Sequence, residues 1–435
     1  MITINELFSG IGAQVAALKR LGVEYETVGI SEIDRFAIQS YEAINGKTRN
    51  YGDISKVEAL DYADLWTYSF PCTDISLAGK QEGLTDKTGK QTRSGLIFEV
   101  ERLLSKSVEN GNQPKYLLLE NVKNLVGKKF KPEFDNWLKT LDGLGYNNYW
   151  KVLNAKDYGV PQNRERVFVV SIRKDVDTHG YTFPEPFKLE RRLKDVLEKE
   201  VDEKFYLKQD IVKSFIERLS KREVSNKIQN NLMFEPQIKQ LGNVFQTNKR
   251  DNPNTGRVYD TSGIRACLNT MGGGNREPCV VEGFNDYPDG TSRTIKAQYF
   301  KNSLANFTRQ DGLGATAVLT TVYGNREQCV VEPINACADG TAPALTSHLH
   351  KETVNDCTKL DRHSPALGVK EVGSEIRIRK LTPKECWRLM DFTDEEYEAA
   401  EKAGVSKTQL YKQAGNSIVV SVLSGIFNNL LGEQK

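Results

Sequence analysis

The chain is expected to be an α/β protein: a parallel sheet with helices on both faces, and a second, smaller domain of short strands and turns inserted into it. Three observations predict this. From the N-terminus, apolar runs of strand length alternate with helix-like segments. Near Pro184 the character changes, and from about Leu241 the chain is rich in Gly, Asn, Thr and Asp. After Arg377 a helical pattern returns, so the middle reads as an insertion. The expected units are residues 1–185, 186–375 and 376–435, the last a return to the first.

Taken in order, Thr3–Phe8 reads as a buried strand and Ala13–Leu21 as a helix. Tyr25–Ile30 is a second strand and Arg35–Ile44 a second helix. Leu65–Phe70, Tyr116–Leu119 and Val167–Ile172 are further apolar runs, with helix-like Leu96–Ser107 and Pro132–Leu144 between them. Lys188–Arg222 is charge-rich and helical in pattern. Pro383–Met390, Asp394–Ala403 and Ser417–Leu431 read as closing helices. Inside the insert, Gly274–Glu282 (GNREPCVVE) returns as Gly324–Glu332 (GNREQCVVE), and Asp289-Gly290-Thr291 returns as Asp339-Gly340-Thr341. Both recur at an offset of 50 residues, the mark of a tandem duplication. Asp-Gly ahead of alternating residues suits a turn entering a strand.

At 435 residues the chain exceeds what one hydrophobic core usually serves. Its composition, 38% hydrophobic and 27% charged, is that of a soluble globular protein. The formal charge of +2 means that any nucleic-acid contact must come from local clusters of Lys and Arg. The seven cysteines, Cys72, Cys267, Cys279, Cys329, Cys337, Cys357 and Cys386, are odd in number and widely spaced. Without a Cys-x-x-Cys pair they point to neither a disulfide framework nor a zinc site. No metal is expected. The start carries no basic leader and no run reaches membrane-spanning length, so a reducing cytoplasm is the expected location.

Two groups of residues carry chemistry. Phe8-Ser9-Gly10-Ile11-Gly12 joins the first strand to the first helix, where glycines let backbone approach a ligand. Glu32 follows the second strand, placed to accept from ribose hydroxyls, and Asp53 is placed to meet an adenine amino group. Val15 occupies the place of the third small residue of a dinucleotide fingerprint, which disfavours a pyrophosphate and suits a nucleoside ligand. Taken singly, Glu32 and Asp53 are solvated loop carboxylates. The second group begins at Ser69-Phe70-Pro71-Cys72, a cysteine presented after a strand end beside a rigid proline. Leu117-Leu118-Leu119-Glu120-Asn121-Val122 runs a strand into Glu-Asn, and Gln162-Asn163-Arg164-Glu165-Arg166 precedes the Val167–Ile172 strand. In a parallel sheet Cys72 and Glu120 both lie at carboxyl ends of strands, where ligands bind, and Gln162–Arg166 must loop over the same edge.

These segments, with Gly415-Asn416-Ser417 and Arg379-x-Leu381-Thr382-Pro383-x-Glu385-x-x-Arg388-Leu389, occur in the order seen in DNA (cytosine-5) methyltransferases, the family this chain resembles over about residues 2–173 and 376–431. The resemblance implies a Rossmann-like methyltransferase sheet with an inserted target-recognition domain, and S-adenosylmethionine as cofactor. It implies methyl transfer to carbon 5 of a cytosine flipped out of duplex DNA, through a covalent Cys72 adduct at carbon 6. Glu120 would hydrogen-bond ring nitrogen 3, Arg166 would contact the cytosine carbonyl oxygen, and Arg164 would support it. Both arginines would help hold Cys72 as thiolate. Phe8, Gly10, Gly12, Glu32, Ile33, Asp53, Ile54, Leu96, Asn416 and Ile418 would line the cofactor pocket, and Gly79–Gly95 would be a lid over the DNA. Thr73, Ile33 and Ala78 depart from the family's usual residues. The duplicated units are either repeated scaffold or repeated recognition surface, with Arg276 and Arg326 as candidate DNA contacts in the second case. A double-stranded DNA partner, no membrane and a monomeric chain complete the expectation. The rivals are an RNA cytosine methyltransferase, a DNA-binding relative without catalysis and a nicotinamide-dependent dehydrogenase.

Overall fold

The computed structural model describes residues 1–72, 74–75, 83–84, 91–212, 214, 238, 240–245, 256–259, 264–268, 279–282, 317–320, 328–333, 367–372 and 377–432. The N-terminal half provides strands β1 (Ile2–Leu7), β2 (Tyr25–Ser31), β3 (Leu65–Tyr68), β4 (Tyr116–Val122), β5 (Tyr146–Asn154), the two-residue β6 (Gln162–Asn163) and β7 (Glu165–Arg173). Its helices are α1 (Ala13–Arg20), α2 (Arg35–Asn45), α3 (Ile97–Glu109) and α4 (Lys131–Gly143). Six of the strands form one sheet in the order β2-β1-β3-β4-β7-β5. β2, β1, β3 and β4 are parallel, whereas β7 runs antiparallel to both β4 and β5.

The expected parallel sheet is therefore mixed. An apolar run such as Val167–Ile172 reads the same in either direction, so its sense was invisible in the sequence. The reversal has a consequence for the site: β7 begins at the edge where β4 ends, with Val122 opposite Arg166.

Alternation along the strands splits the core in two. Leu117 and Leu119 of β4 face the cluster holding α3 and α4, including Trp66, Tyr68, Val100, Leu104, Phe134 and Trp137. Leu118, between them, faces the other cluster with Ile4, Val170, α1 and the closing helix. Four helices close the chain: α5 (Pro383–Arg388), α6 (Asp394–Lys402), α7 (Lys407–Asn416) and α8 (Val420–Leu431). α8 is buried against α1 through Val422, Leu423, Ile426 and Phe427.

The insert contributes β8 (Gln240–Asn243), β9 (Arg257–Tyr259), β10 (Arg265–Ala266), β11 (Cys279–Glu282), β12 (Ala317–Thr320), β13 (Gln328–Pro333) and β14 (Leu367–Val372). β15 (Arg377–Lys380) pairs antiparallel with β11, so this strand, expected within the return, is hydrogen-bonded into the insert's sheet β15-β11-β9-β8. Val212, Val244, Val258, Cys279 and Ile378 form a small core there. Both copies of the repeated Cys-Val-Val-Glu lie in strands, β11 and β13, each paired antiparallel with a neighbour, β15 and β14. Arg276 and Arg326 lie outside the described residues.

Lys188–Arg222 is helical only late in its described part. It makes short 3-10 turns at Leu193–Val196 and Glu203–Phe205, and an α-helix begins at Gln209, with Val212 N–H donating to the Lys208 carbonyl (3.2 Å). Contacts with the closing helices and β15 hold it open: Arg388 Nη1 donates to the Val196 carbonyl (3.1 Å), Glu198 N–H to Glu385 Oε1 (2.8 Å) and Leu207 N–H to the Ile378 carbonyl (2.8 Å). Among the described residues no single helix is long and apolar enough to cross a membrane.

Candidate active site

Three neighbouring strands bring the two groups of chemical residues to one edge. Leu7 of β1 pairs with Tyr68 of β3, and Tyr68 pairs with Leu119 of β4. The Phe8–Gly12 turn, the Ser69–Cys72 segment and Glu120 thus leave adjacent strands, which lie about 4.8 Å apart. Cys72 follows the middle one.

The Pro71-Cys72 turn is held from both sides. Ser94 Oγ donates to the Pro71 carbonyl (2.7 Å), and Asp74 N–H donates back to Ser94 Oγ (3.2 Å). Ile75 N–H closes on the Cys72 carbonyl (3.1 Å). Asn121 Nδ2 donates to the Phe70 carbonyl (3.1 Å), so the residue after Glu120 pins the segment that carries Cys72. Ser94 and Asp74 carry no motif and were not expected; only the fold brings them to the turn.

Glu120 is 8% exposed, and Arg166 Nε faces its Oε1 at 3.2 Å. Burial pushes the Glu120 carboxyl above its ordinary value, against the pull of Arg166 and Arg164. Cys72 is half-buried. Burial, and then the Glu120 carboxylate, push its thiol up; Arg166 and Arg164 pull it down but do not prevail. The expectation that the arginines hold Cys72 as thiolate is met in sign and not in outcome. The two groups are coupled: protonating Glu120 removes the charge that opposes the thiolate.

Arg164 is 3% exposed and does not reach into the site as Arg166 does. Its Nη1 donates to the Leu268 carbonyl (3.0 Å) and to Cys267 Sγ (3.3 Å); its Nη2 donates to the carbonyls of Gly415 (3.2 Å) and Ser417 (2.7 Å). Gln162 Oε1 accepts from Leu268 N–H (2.7 Å) while its Nε2 donates to the Leu389 carbonyl (2.8 Å). Cys267 and Leu268 come from the insert and were missed, because they lie about a hundred residues from the arginines in sequence.

On the cofactor side, Gly10 N–H donates to Glu32 Oε2 (2.9 Å), and Ile33 and Asp34 N–H both donate to Oε1 (2.9 Å each). A carboxylate has about four acceptor sites, so Glu32 retains capacity for a ligand hydroxyl. Gly10 has φ +57°, and a Cβ there would meet no atom within 4 Å; at Gly12, φ +85°, it would strike Asn45 and Tyr41. Phe8, not a glycine, also has φ +58°, a conformation that costs on the order of 1 kcal/mol. The turn is thus bent back at three positions and opens its backbone to one side. Phe8, Ile54 and Leu96 pack in a single cluster, and Ile33 stands 73% exposed. Asp53 sits before the third strand rather than at a strand end, capping a short helix by accepting from Ser55 N–H (3.1 Å) and Oγ (2.8 Å). Lys412 Nζ reaches Asp34 Oδ2 (2.6 Å), which brings α7 to the cofactor edge; Asn416 ends that helix and Ile418 is buried just beyond it. Open backbone at Gly10, a carboxylate at the second strand end and an apolar wall fit the adenosyl portion of S-adenosylmethionine. Thr73 and Ala78 lie outside the described residues, as does most of Gly79–Gly95. Among the described residues no cluster of His, Cys, Asp and Glu could hold a metal.

Comparison with known proteins gives the same answer as the site. The chain is 32% identical to an orphan methyltransferase, M.SPBetaI, of Bacillus phage SPbeta, over 99% of this chain and 97% of the phage protein. It is 34% identical to orphan methyltransferase M.SPRI of Bacillus phage SPR (99% and 97%) and 30% identical to type II methyltransferase M2.ScrFI of Lactococcus lactis subsp. cremoris (100% of each). Its fold is similar to the crystal structure of S. pombe Dnmt2 methyltransferase, with a TM-score of 0.55 at 17% identity over 100% of this chain and 99% of that one. Residues 2–432 match the family described as C-5 cytosine-specific DNA methylase, and the chain belongs to that family, as an S-adenosylmethionine-dependent enzyme that methylates cytosine in DNA.

Proposed function

We propose that Cys72, Glu120, Arg164 and Arg166 perform the transfer on a cytosine flipped out of double-stranded DNA. The observation that carries this reading is the ion pair of Glu120 with Arg166, at the carboxyl end of β4 beside the Cys72 turn. Carbon 5 of cytosine is a poor nucleophile. Cys72 loses its thiol proton to water, its sulfur bonds to carbon 6, and the electron pair of the 5,6 double bond shifts onto the ring. Glu120, protonated, donates to ring nitrogen 3 and stabilises that charge. Arg166 is close enough to Glu120 to meet the same edge of the base and contact its carbonyl oxygen; Arg164 holds the loop from behind. When bound, S-adenosylmethionine supplies an electrophilic methyl group for carbon 5. Loss of the carbon 5 proton then returns the electron pair and expels the Cys72 sulfur. Buried reacting groups require that the base leave the stack.

Phe8, Gly10, Gly12, Glu32, Ile33, Asp53, Ile54, Leu96, Asn416 and Ile418 would hold the cofactor, and the inserted residues would read the target. A monomeric chain acting in a reducing cytoplasm is part of the same proposal. The test is covalent trapping on duplex DNA carrying 5-fluorocytosine, where no proton can leave carbon 5. An adduct at Cys72 is expected, and Cys72→Ser should form none while still binding DNA. Methylation by Cys72→Ser at a near-normal rate would overturn the assignment. Transfer to RNA alone would replace the substrate.

A further inference from the structure

We propose that Cys267, contributed by the insert, is a positioning residue for methyl transfer: its sulfur holds the Arg166 guanidinium against Glu120. This rests on the roles given above to Glu120 and Arg166.

The guanidinium of Arg166 has three nitrogens, and each has its own partner. Nε faces Glu120 Oε1 at 3.2 Å, Nη1 donates to the Glu165 carbonyl at 2.8 Å, and Nη2 points to Cys267 Sγ at 3.7 Å. Of these, the sulfur is the contact that ties the group to the insert. It also receives Arg164 Nη1 at 3.3 Å, so one sulfur sits between two buried cations. Burial pushes its thiol up, but Arg164, Arg166 and Arg265 together carry it below its ordinary value. A thiolate there is a strong, charge-assisted acceptor; a thiol donates instead to the Leu268 carbonyl, 3.3 Å away.

The sulfur can act as a fixed point because its backbone is clamped. β10 pairs parallel with β6, Arg265 N–H donates to the Pro161 carbonyl (3.2 Å), and Leu268 is gripped by Gln162 and Arg164. The insert is thereby coupled to the carboxyl that stabilises the base. Seating the insert on DNA would set the angle at which Arg166 meets Glu120.

The experiment compares Cys267→Ala and Cys267→Ser in the full chain. It measures single-turnover methyl transfer against pH, DNA affinity and thermal melting. Cys267→Ala removes the acceptor of both Arg164 Nη1 and Arg166 Nη2; loss of the Arg166 contact should slow transfer about tenfold, with DNA affinity near wild type and melting modestly lowered. Its pH–rate profile should shift toward higher pH, because a loosened Arg166 no longer favours the Cys72 thiolate. Serine, whose hydroxyl accepts the same N–H groups, should recover most of the rate. A Cys267→Ala rate and profile equal to wild type, or a loss that serine does not rescue, would overturn the inference. A wild-type chain that forms no adduct with 5-fluorocytosine DNA would instead remove the reading beneath it.

Discussion

Cys72 and Glu120 form a coupled pair whose charges oppose one another. The Glu120 carboxylate holds the thiol up, and Arg166 holds it down. The pair therefore makes two opposite predictions for one observable, the pH midpoint of Cys72 alkylation by iodoacetamide. Glu120→Gln should lower that midpoint and Arg166→Ala should raise it. Movement in the same direction would show that the sulfur feels neither group directly. A second buried carboxyl, Glu6, lies inside β1 and is fully buried. Burial pushes it up to about 7, although it accepts a hydrogen bond from Tyr41. The folded state thus binds a proton more readily than the unfolded chain, whose value is 4.5. Stability should fall as pH rises from 4.5 to about 7 and then level off, a change of about 3 kcal/mol. Urea denaturation at several pH values should show that Glu6→Gln flattens the slope, and equal slopes in both proteins would refute it. Cys72, Glu120, Arg164 and Arg166, the side chains proposed for the transfer, could be picked out in the sequence because each lies in a short recognisable segment. Cys267 was not, because its surroundings are three arginines that only folding assembles.

At the scale of elements, the strands easiest to read were those that carry a continuous buried run. β3 and β4 are buried along nearly their whole length and read as continuous runs. β5 (YNNYWKVLN) was missed, because at the sheet's edge it buries few of its residues and keeps Asn and Lys. α7 (KTQLYKQAGN) was missed for a related reason: its polar residues are spent on specific contacts, such as Gln413 Nε2 to the Phe36 carbonyl (2.8 Å), rather than on a solvated face. α5 shows how tightly an end can be specified. Thr382 and Glu385 form a reciprocal cap, and Arg379 Nη1 and Nη2 hold the two Glu385 oxygens at 2.8 Å each, with both side chains fully buried. Arg379→Met would leave Glu385 charged and buried, at a cost of about 3–5 kcal/mol. Adding Glu385→Leu should recover much of that loss in urea denaturation. A single-variant loss below about 1 kcal/mol would mean that the pair behaves as a surface bridge.

At the scale of the whole molecule, Arg164 is where the three parts of the chain meet. It stands on the loop entering β7, its Nη1 holds Cys267 Sγ and the Leu268 carbonyl of the insert, and its Nη2 holds the carbonyls of Gly415 and Ser417 of the C-terminal return. Four acceptors on one planar group need the fork of a guanidinium. A lysine keeps the charge but places a single nitrogen, which cannot reach carbonyls on opposite sides. Arg164→Lys should therefore loosen two segments about 150 residues apart in sequence at the same time, 265–268 and 415–418, while leaving β1 to β4 unchanged. Hydrogen–deuterium exchange measures this directly. Amides of both segments should exchange about tenfold faster or more, since a hydrogen bond to a charged group contributes about 1.5–3 kcal/mol, and the cofactor affinity should weaken with them because Asn416 and Ile418 lie in the second segment. If only one segment loosened, Arg164 would be a local anchor, and the insert and the C-terminal return would be joined to the sheet independently.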